Sequence, residues 1–268
     1  MAEISALHPQ ATTRRTWPEA GALTVRGLKL SLRNVDGLIT ALALPVMLML
    51  IFVYLFGGAI ETGGAYVDYV VPGVLLVCAG FGAASTAVTV SNDLSHGMVD
   101  RFRSMDVRGE LLIASHVVAS VVRNALSTVL VFAVALAIGF RPDASPAEWA
   151  AAVGILALFV LALSWVSAAI GILAKSPEAA NGLTFFVSFL PYPSSAFVPV
   201  DTMPSWLRGV ASHQPITVVV DAIRDLLLGD ASAPGGTGAN ALAAVGWSIG
   251  IIVVSVPVAG VLFRRRAG

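Results

Sequence analysis

Read from its first residue, the chain alternates between clusters of charge and long stretches that carry almost none. Six stretches are apolar and long: residues 38–56, 69–90, 113–140, 149–174, 179–200 and 241–263. A helix rises about 1.5 Å per residue, so roughly 20 apolar residues cover the hydrocarbon core of a bilayer. None of the six shows the strict in–out alternation of a barrel strand. In lipid the backbone must satisfy its own hydrogen bonds, which a helix does internally. The pattern predicts an all-α polytopic membrane protein with six transmembrane helices. Residues 1–34 form a cytoplasmic N-terminal segment, and 35–268 form a single transmembrane domain.

Composition agrees with the pattern. Hydrophobic residues make up 57% of the chain and charged residues 12%, against a charged share of roughly 25% in soluble domains. A water-soluble fold cannot hide that much apolar surface. The formal net charge is zero, so the global basic field that holds nucleic acid is missing and no nucleic-acid partner is expected. Cys78 is the only cysteine; it excludes an intrachain disulfide and any C-x-x-C motif, and it reads as a small buried apolar side chain. Residues 1–33 are polar and interrupted by Pro9 and Pro18, unlike a cleavable signal, so the first span carries the targeting information.

Orientation follows from lysine and arginine in the short connections. Arg14, Arg15, Arg26, Lys29 and Arg33 precede the first span, Arg101, Arg103 and Arg108 follow the second, Lys175 follows the fourth, and Arg264, Arg265 and Arg266 close the chain. Six crossings put all of these on one side. The other side receives Arg141, Arg208 and Arg224 beside acids such as Glu61, Asp68, Asp143 and Asp230. Both termini are therefore expected in the cytoplasm, with the protein in a bacterial plasma membrane. Arg123 stands inside the third apolar run, but 124–140 alone covers about 25 Å. The third helix is therefore expected to begin in the cytosol, with Arg123 snorkelling to the inner interface.

Three segments are more than simple spans. Residues 17–33 mix Trp17, Leu23, Val25, Leu28, Leu30 and Leu32 with Arg26, Lys29 and Arg33, which suits a helix lying in the inner membrane surface; an irregular basic tail is the alternative. Between the second and third spans, Leu94, Met98, Phe102 and Met105 recur at helical spacing and form an apolar ridge among Asp93, Asp100, Arg101, Arg103 and Asp106. Such a helix either docks into a groove on a soluble partner or rests on lipid. In residues 189–229, Pro191, Pro193, Pro199, Pro204 and Pro215 forbid a continuous helix. The segment nevertheless stays largely apolar. Broken backbone at membrane depth must be buried or line a wet cavity, so short re-entrant helices are expected between spans five and six. Asp201, Trp206, Arg208, Pro215, Asp221 and Arg224, with His213 and Asp225, are placed near the outer surface in that region. Capping and ion pairing account for the charges there. A metal or catalytic site built on Asp201, His213 and Asp221 is the competing idea, and no metal ligand is assigned.

The two informative loops together resemble the ABC-2 type transporter permeases, in particular the daunorubicin-resistance-like permeases of actinobacterial drug and lipid exporters. The first carries Gly97-Met98-Val99-Asp100-Arg101-Phe102-Arg103. The second carries Met203-Pro204-Ser205-Trp206-Leu207-Arg208, then Gln214-Pro215-Ile216-Thr217 and Asp221-Ala222-Ile223-Arg224. His213-Gln214-Pro215 departs from a pattern in which asparagine often precedes the proline. The resemblance implies a half-sized exporter with two ATPase subunits and a second permease chain, identical or related. It makes Leu94, Gly97, Met98, Arg101, Phe102, Arg103 and Met105 the coupling helix against the ATPase. It also points to Phe52, Phe56, Phe81, Phe185, Phe186 and Phe189, on spans one, two and five, as a substrate path; each of these rings can instead pack against lipid or a neighbouring helix. No G-x-x-x-x-G-K-[ST] loop is present, so ATP and Mg are expected on the partner subunit and the chain itself holds no cofactor and catalyses no reaction.

A hydrophobic or amphipathic cargo fits spans without mid-membrane charge, such as a drug, antibiotic or lipid, although polysaccharide or other envelope glycoconjugate exporters share the family. An ion-coupled secondary transporter is the rival class; it needs membrane-buried carboxylates and often inverted repeats, neither of which the sequence displays.

Overall fold

The computed structural model describes residues 35–60, 64–96, 109–229 and 237–267. Eight α-helices appear among them: α1 (Val35–Ile51), α2 (Tyr66–Ser95), α3 (Gly109–Ala137), α4 (Pro146–Leu173), α5 (Pro177–Phe189), α6 (Ser205–His213), α7 (Pro215–Leu228) and α8 (Thr237–Ala267). No strand occurs among the described residues. α2, α3, α4 and α8 are each long and apolar enough to cross a bilayer alone, so the chain is a multi-pass membrane protein. α1 runs directly into a π-helical turn, Phe52–Phe56, and the two together cover about 30 Å.

α2 is the axis of the bundle. It packs against α1, α3, α4, α5 and α7, and 72% of its apolar window is buried, compared with 17% in α8. α2 can be apolar on nearly every side because other helices surround it. α8 packs on α4 and α7 and leaves Leu242, Val253 and Val254 outward, as a helix facing lipid does. α4 opens with a capping box: the Ser145 hydroxyl accepts from the Glu148 amide while the Glu148 carboxylate accepts from the Ser145 amide. Pro146 fits at its first position because an amide there lacks an intrahelical partner anyway.

Two ends of the bundle can be told apart. At the basic end, Arg266 at the close of α8 donates to the carbonyls of Ile172 and Ala174, at the close of α4. At the opposite, proline-rich end, the Tyr66 hydroxyl at the start of α2 donates to the Phe197 carbonyl at 2.8 Å.

The fifth apolar run does not form one helix over 179–200. α5 stops at Phe189, and residues 190–197 continue as turns. Pro191 and Pro193 lack amide donors and their rings obstruct the preceding turn, which ends the helix there. The broken stretch nevertheless travels the length of α2. Ala180 clusters with Ala87, Ser188 lies opposite Gly80, Ala196 opposite Gly73, and Phe197 meets Tyr66. From Ala87 to Tyr66 is about 31 Å of helix, comparable with the hydrocarbon thickness of roughly 30 Å. Gly73 permits this approach, because a Cβ there would stand 2.4 Å from the Ala196 carbonyl oxygen. The expected N-terminal interfacial helix, residues 17–33, lies outside the described residues.

Candidate functional site

Aromatic rings form a continuous ladder along the broken fifth segment and the end of α1. Phe56 meets Phe52 at 5.4 Å between centroids, Phe52 stacks on Phe197 at 4.4 Å, and Phe197 on Tyr192 at 5.4 Å. Tyr192 meets Phe189 at 4.7 Å, Phe189 meets Phe185 at 5.3 Å, and Phe185 meets Phe186 edge-on at 6.4 Å. Five of the six sequence-chosen phenylalanines therefore belong to one feature. Phe81 does not: it packs against the main core from α2 and joins no ring pair among the described residues. Between the levels of Gly80 and Tyr66 the ladder rises about 20 Å. Phe185, Phe186 and Phe189 are each more than half exposed, so the ladder presents an open apolar surface rather than a sealed core.

At the proline-rich end a single cation ties three elements together. Arg224 of α7 is only 4% exposed. Its Nη1 donates to Asp221 Oδ1 at 2.7 Å, and its Nη2 donates to the carbonyls of Ser195 at 2.9 Å and Tyr69 at 3.1 Å. The guanidinium also sits 4.0 Å from the centroid of the Tyr69 ring, a cation–π contact. The Ser195 hydroxyl donates to Asp221 at 2.7 Å, Asn240 donates to Asp225, and the Gln214 side chain donates to the Pro193 carbonyl. Arg224 and Asp225 are thus both buried within the protein at its proline-rich end. α7 turns them inward because partners there neutralise the charge.

Asp201, Trp206, Arg208 and His213 are exposed, and Pro215 opens α7. Arg208 donates to the carbonyls of Asp201 and Met203, tying α6 to the turn before it. His213 bonds to Ser212 and the Gly209 carbonyl, whereas Asp221 bonds to Ser195 and Arg224. The imagined Asp201–His213–Asp221 site is not assembled by these bonds. No group of three or more metal-ligating side chains occurs among the described residues.

Arg123 stands at the middle of α3 and is engaged by α2. Its Nη2 donates to the Gly82 carbonyl at 3.2 Å and to Thr86 Oγ1 at 3.0 Å, both in the interior of α2. Around it a buried polar layer joins three helices: Thr86 donates to Ser120 at 2.7 Å, Ser120 meets Ser164 at 2.9 Å, and Asn124 packs against Gly82. The polar partners of Arg123 lie across the helix interface, on α2.

At the basic end, Leu94 packs against the cluster of Val90, Ile113, Val117, Ile172 and Phe263. His116 of α3 lies 3.1 Å from Asp93 of α2, beside the connection between the two helices. Gly97, Met98, Arg101, Phe102, Arg103 and Met105 fall outside the described residues.

The family model described as ABC-2 type transporter matches residues 18–228, more than half the chain and including both informative loops. The chain belongs to the ABC-2 type transporter family. It is 28% identical over 231 residues to the daunorubicin resistance ABC transporter permease protein DrrB1 of Streptomyces coeruleorubidus, covering 85% of this chain and 80% of that one. It is 20% identical over 237 residues to the probable doxorubicin resistance ABC transporter permease protein DrrC of Mycobacterium tuberculosis, covering 88% and 84%. A putative transport permease, ycf38, of Cyanophora paradoxa is 26% identical over 198 residues, covering 70% and 67%.

Within this ABC-2 fold, sequence reasoning missed two rungs of the ladder. Tyr192 was legible, since residues 185, 189 and 192 keep helical spacing. Phe197 was not, because it lies beyond two prolines that erase the register. The polar layer also left a trace: His116, Ser120, Asn124 and Ser127 recur along one face of α3.

Proposed function

We propose that this chain is the transmembrane permease subunit of an ATP-binding cassette exporter, moving a hydrophobic or amphipathic drug, antibiotic or lipid out of the cell. The aromatic ladder carries this reading. It is a long, half-open apolar surface along a broken, crossing segment, in a family that includes drug-resistance permeases. Rings of this kind bind by area and stacking rather than by directed hydrogen bonds, which suits lipophilic cargo.

In this reading the chain crosses the plasma membrane six times: α1 with its π turn, α2, α3, α4, the broken α5 segment, and α8. Arg264, Arg265 and Arg266 support a cytoplasmic basic end by the positive-inside rule, and both termini lie on that side in this reading. The partners are two ATPase subunits, which hold ATP and Mg, and a second permease chain. Closure of the ATPases displaces the coupling segment from Leu94 to Met105, carried by Gly97, Met98, Arg101, Phe102 and Arg103 between them. The Asp93–His116 contact at its root passes the displacement to α2 and α3 together. Work reaches the ladder only if the two states differ in interaction energy; the Arg224 junction is where such a difference can reside.

Vesicles carrying the chain with its ATPase test this. Export of a lipophilic fluorescent probe should require ATP, and Phe185→Ala with Phe189→Ala should slow it several-fold while leaving the fold intact. Export unaffected by loss of both rings would remove the ladder from the path. Export that proceeds without ATP and collapses with an ionophore would replace the reading by ion coupling.

A further inference from the structure

Between the ladder and α7 the chain leaves the bundle and comes back into it. From Phe197, which meets Tyr66 at the proline-rich end of α2, it passes through the short turn Val200–Thr202 and returns as α6. The end of α6 is deep again. The Thr217 hydroxyl donates to the Ala211 carbonyl and accepts from the Ser195 amide at 3.3 Å, and the Gln214 side chain donates to the Pro193 carbonyl. Pro193 lies between Ser188 and Ala196, which stand opposite Gly80 and Gly73 of α2. Gly73 is two helical turns from Tyr66, so the tip joining α6 to α7 stands about 10 Å inside that end of the crossing.

His213, the last residue of α6, stands at this tip and is exposed. Trp206, Val210 and His213 follow at spacings of four and three, which puts them on one face of the helix. Ala211, on the other side, is fully buried, while Trp206 and Val210 are largely exposed. The open face of α6 is therefore apolar until its deepest residue, which is an imidazole. An ionisable side chain at membrane depth faces a wet cavity or a substrate path rather than hydrocarbon. Its hydrogen bonds also fix which nitrogen is free. Nδ1 lies 2.8 Å from the Ser212 hydroxyl oxygen and 3.1 Å from the Gly209 carbonyl oxygen, and the Ser212 hydroxyl spends its own hydrogen on that same carbonyl. Both oxygens can only accept, so Nδ1 carries the hydrogen and, in the neutral ring, the lone pair is on Nε2. Nε2 has no partner among the described residues.

We propose that Nε2 of His213 is the acceptor that recognises the polar end of the cargo, and that this end is a hydrogen-bond donor, an alcohol or phenol hydroxyl. The inference rests on the exporter reading above and narrows it. The bond from Gln214 to Pro193 fastens the tip to the segment that carries Tyr192 and Phe189, so the ladder takes the apolar body and the imidazole beside it takes the hydroxyl. A methyl ether of the same body offers Nε2 no hydrogen and leaves it unpaired.

The test uses the permease assembled with its ATPase in nanodiscs, with two probes, a pyrene-capped long-chain alcohol and its methyl ether, read against empty nanodiscs. The wild type should bind the alcohol about three- to tenfold more tightly, the worth of one hydrogen bond between neutral groups. His213→Leu should bring the two within about twofold, whereas His213→Gln, which keeps an acceptor, should retain the preference. Equal affinities in the wild type, or an unchanged ratio in His213→Leu, would overturn the proposal. A second measurement does not depend on those variants. The chain's own Cys78 is buried, so in His213→Cys a water-soluble thiol reagent should modify the new side chain, and the alcohol probe should slow that reaction several-fold. A thiol that the reagent never reaches, whether covered by lipid or by a second permease chain, would equally overturn it. Binding is read apart from movement: preference for the alcohol without ATP-driven export would sink the exporter reading and leave the subsite standing, and export without that preference would do the reverse.

Discussion

Replacing Arg224 by alanine removes the one cation that holds α2, the turn after α5, and α7 together. The side chain makes three charge-assisted hydrogen bonds, at 2.7, 2.9 and 3.1 Å, and covers the Tyr69 ring at 4.0 Å. Each such bond contributes about 1.5–3 kcal/mol in isolation, but desolvating the guanidinium offsets much of the sum. Truncating one partner of a buried pair costs about 3–5 kcal/mol, because the other charge stays behind unpaired. Asp221 is that charge, left with the Ser195 hydroxyl and next to Asp225. At about 2–4 °C per kcal/mol for a chain of this size, apparent Tm in detergent should fall by about 6–20 °C. Unfolding of such proteins is often irreversible, so variants are compared at one scan rate. Asp221→Asn combined with Arg224→Met should recover part of the loss, since the orphaned charge goes with its partner. A fall under about 2 °C, or strictly additive effects of the two substitutions, would refute the claim that the junction is one coupled unit.

Gly73→Val should prevent the broken fifth segment from seating on α2, because a Cβ there meets the Ala196 carbonyl at 2.4 Å; overpacking of this kind costs about 1–3 kcal/mol or more, and proteolysis near 190–197 should accelerate. Arg266→Ala should loosen the close of α8 from the Ile172 and Ala174 carbonyls, seen as faster hydrogen exchange at 170–176 with export largely retained. Phe102→Asp should abolish ATP-driven export and capture of the ATPase while leaving the apparent Tm of the permease within a few degrees; unchanged export would remove the coupling assignment.

The sequence made the long helices legible because lipid and packing both demand apolar surface. α2 and α8 look alike by composition, although one is enclosed and the other faces outward; hydropathy measures only the absence of polar groups and cannot separate the two. The break at Pro191 and Pro193 was legible as a break. That the chain still travels along α2 was not, since it depends on Gly73 and Ala196 meeting across more than a hundred residues. Arg123 and Arg224 show the same limit from the side of charge. Spacing alone does not say which carbonyls receive a guanidinium, because those of Gly82, Tyr69 and Ser195 come from other parts of the chain. The ladder sat between these cases: its helical rungs followed spacing, while Phe197 was brought in by the turn.

The account rests most directly on whether this chain moves cargo with energy taken from another subunit. Inside-out vesicles containing the chain, with and without its ATPase, and with a lipophilic fluorescent probe outside, measure this in a single accumulation assay. ATP-dependent accumulation only when both proteins are present is the predicted result. Accumulation by the chain alone, driven by an ion gradient or by nothing at all, would contradict it.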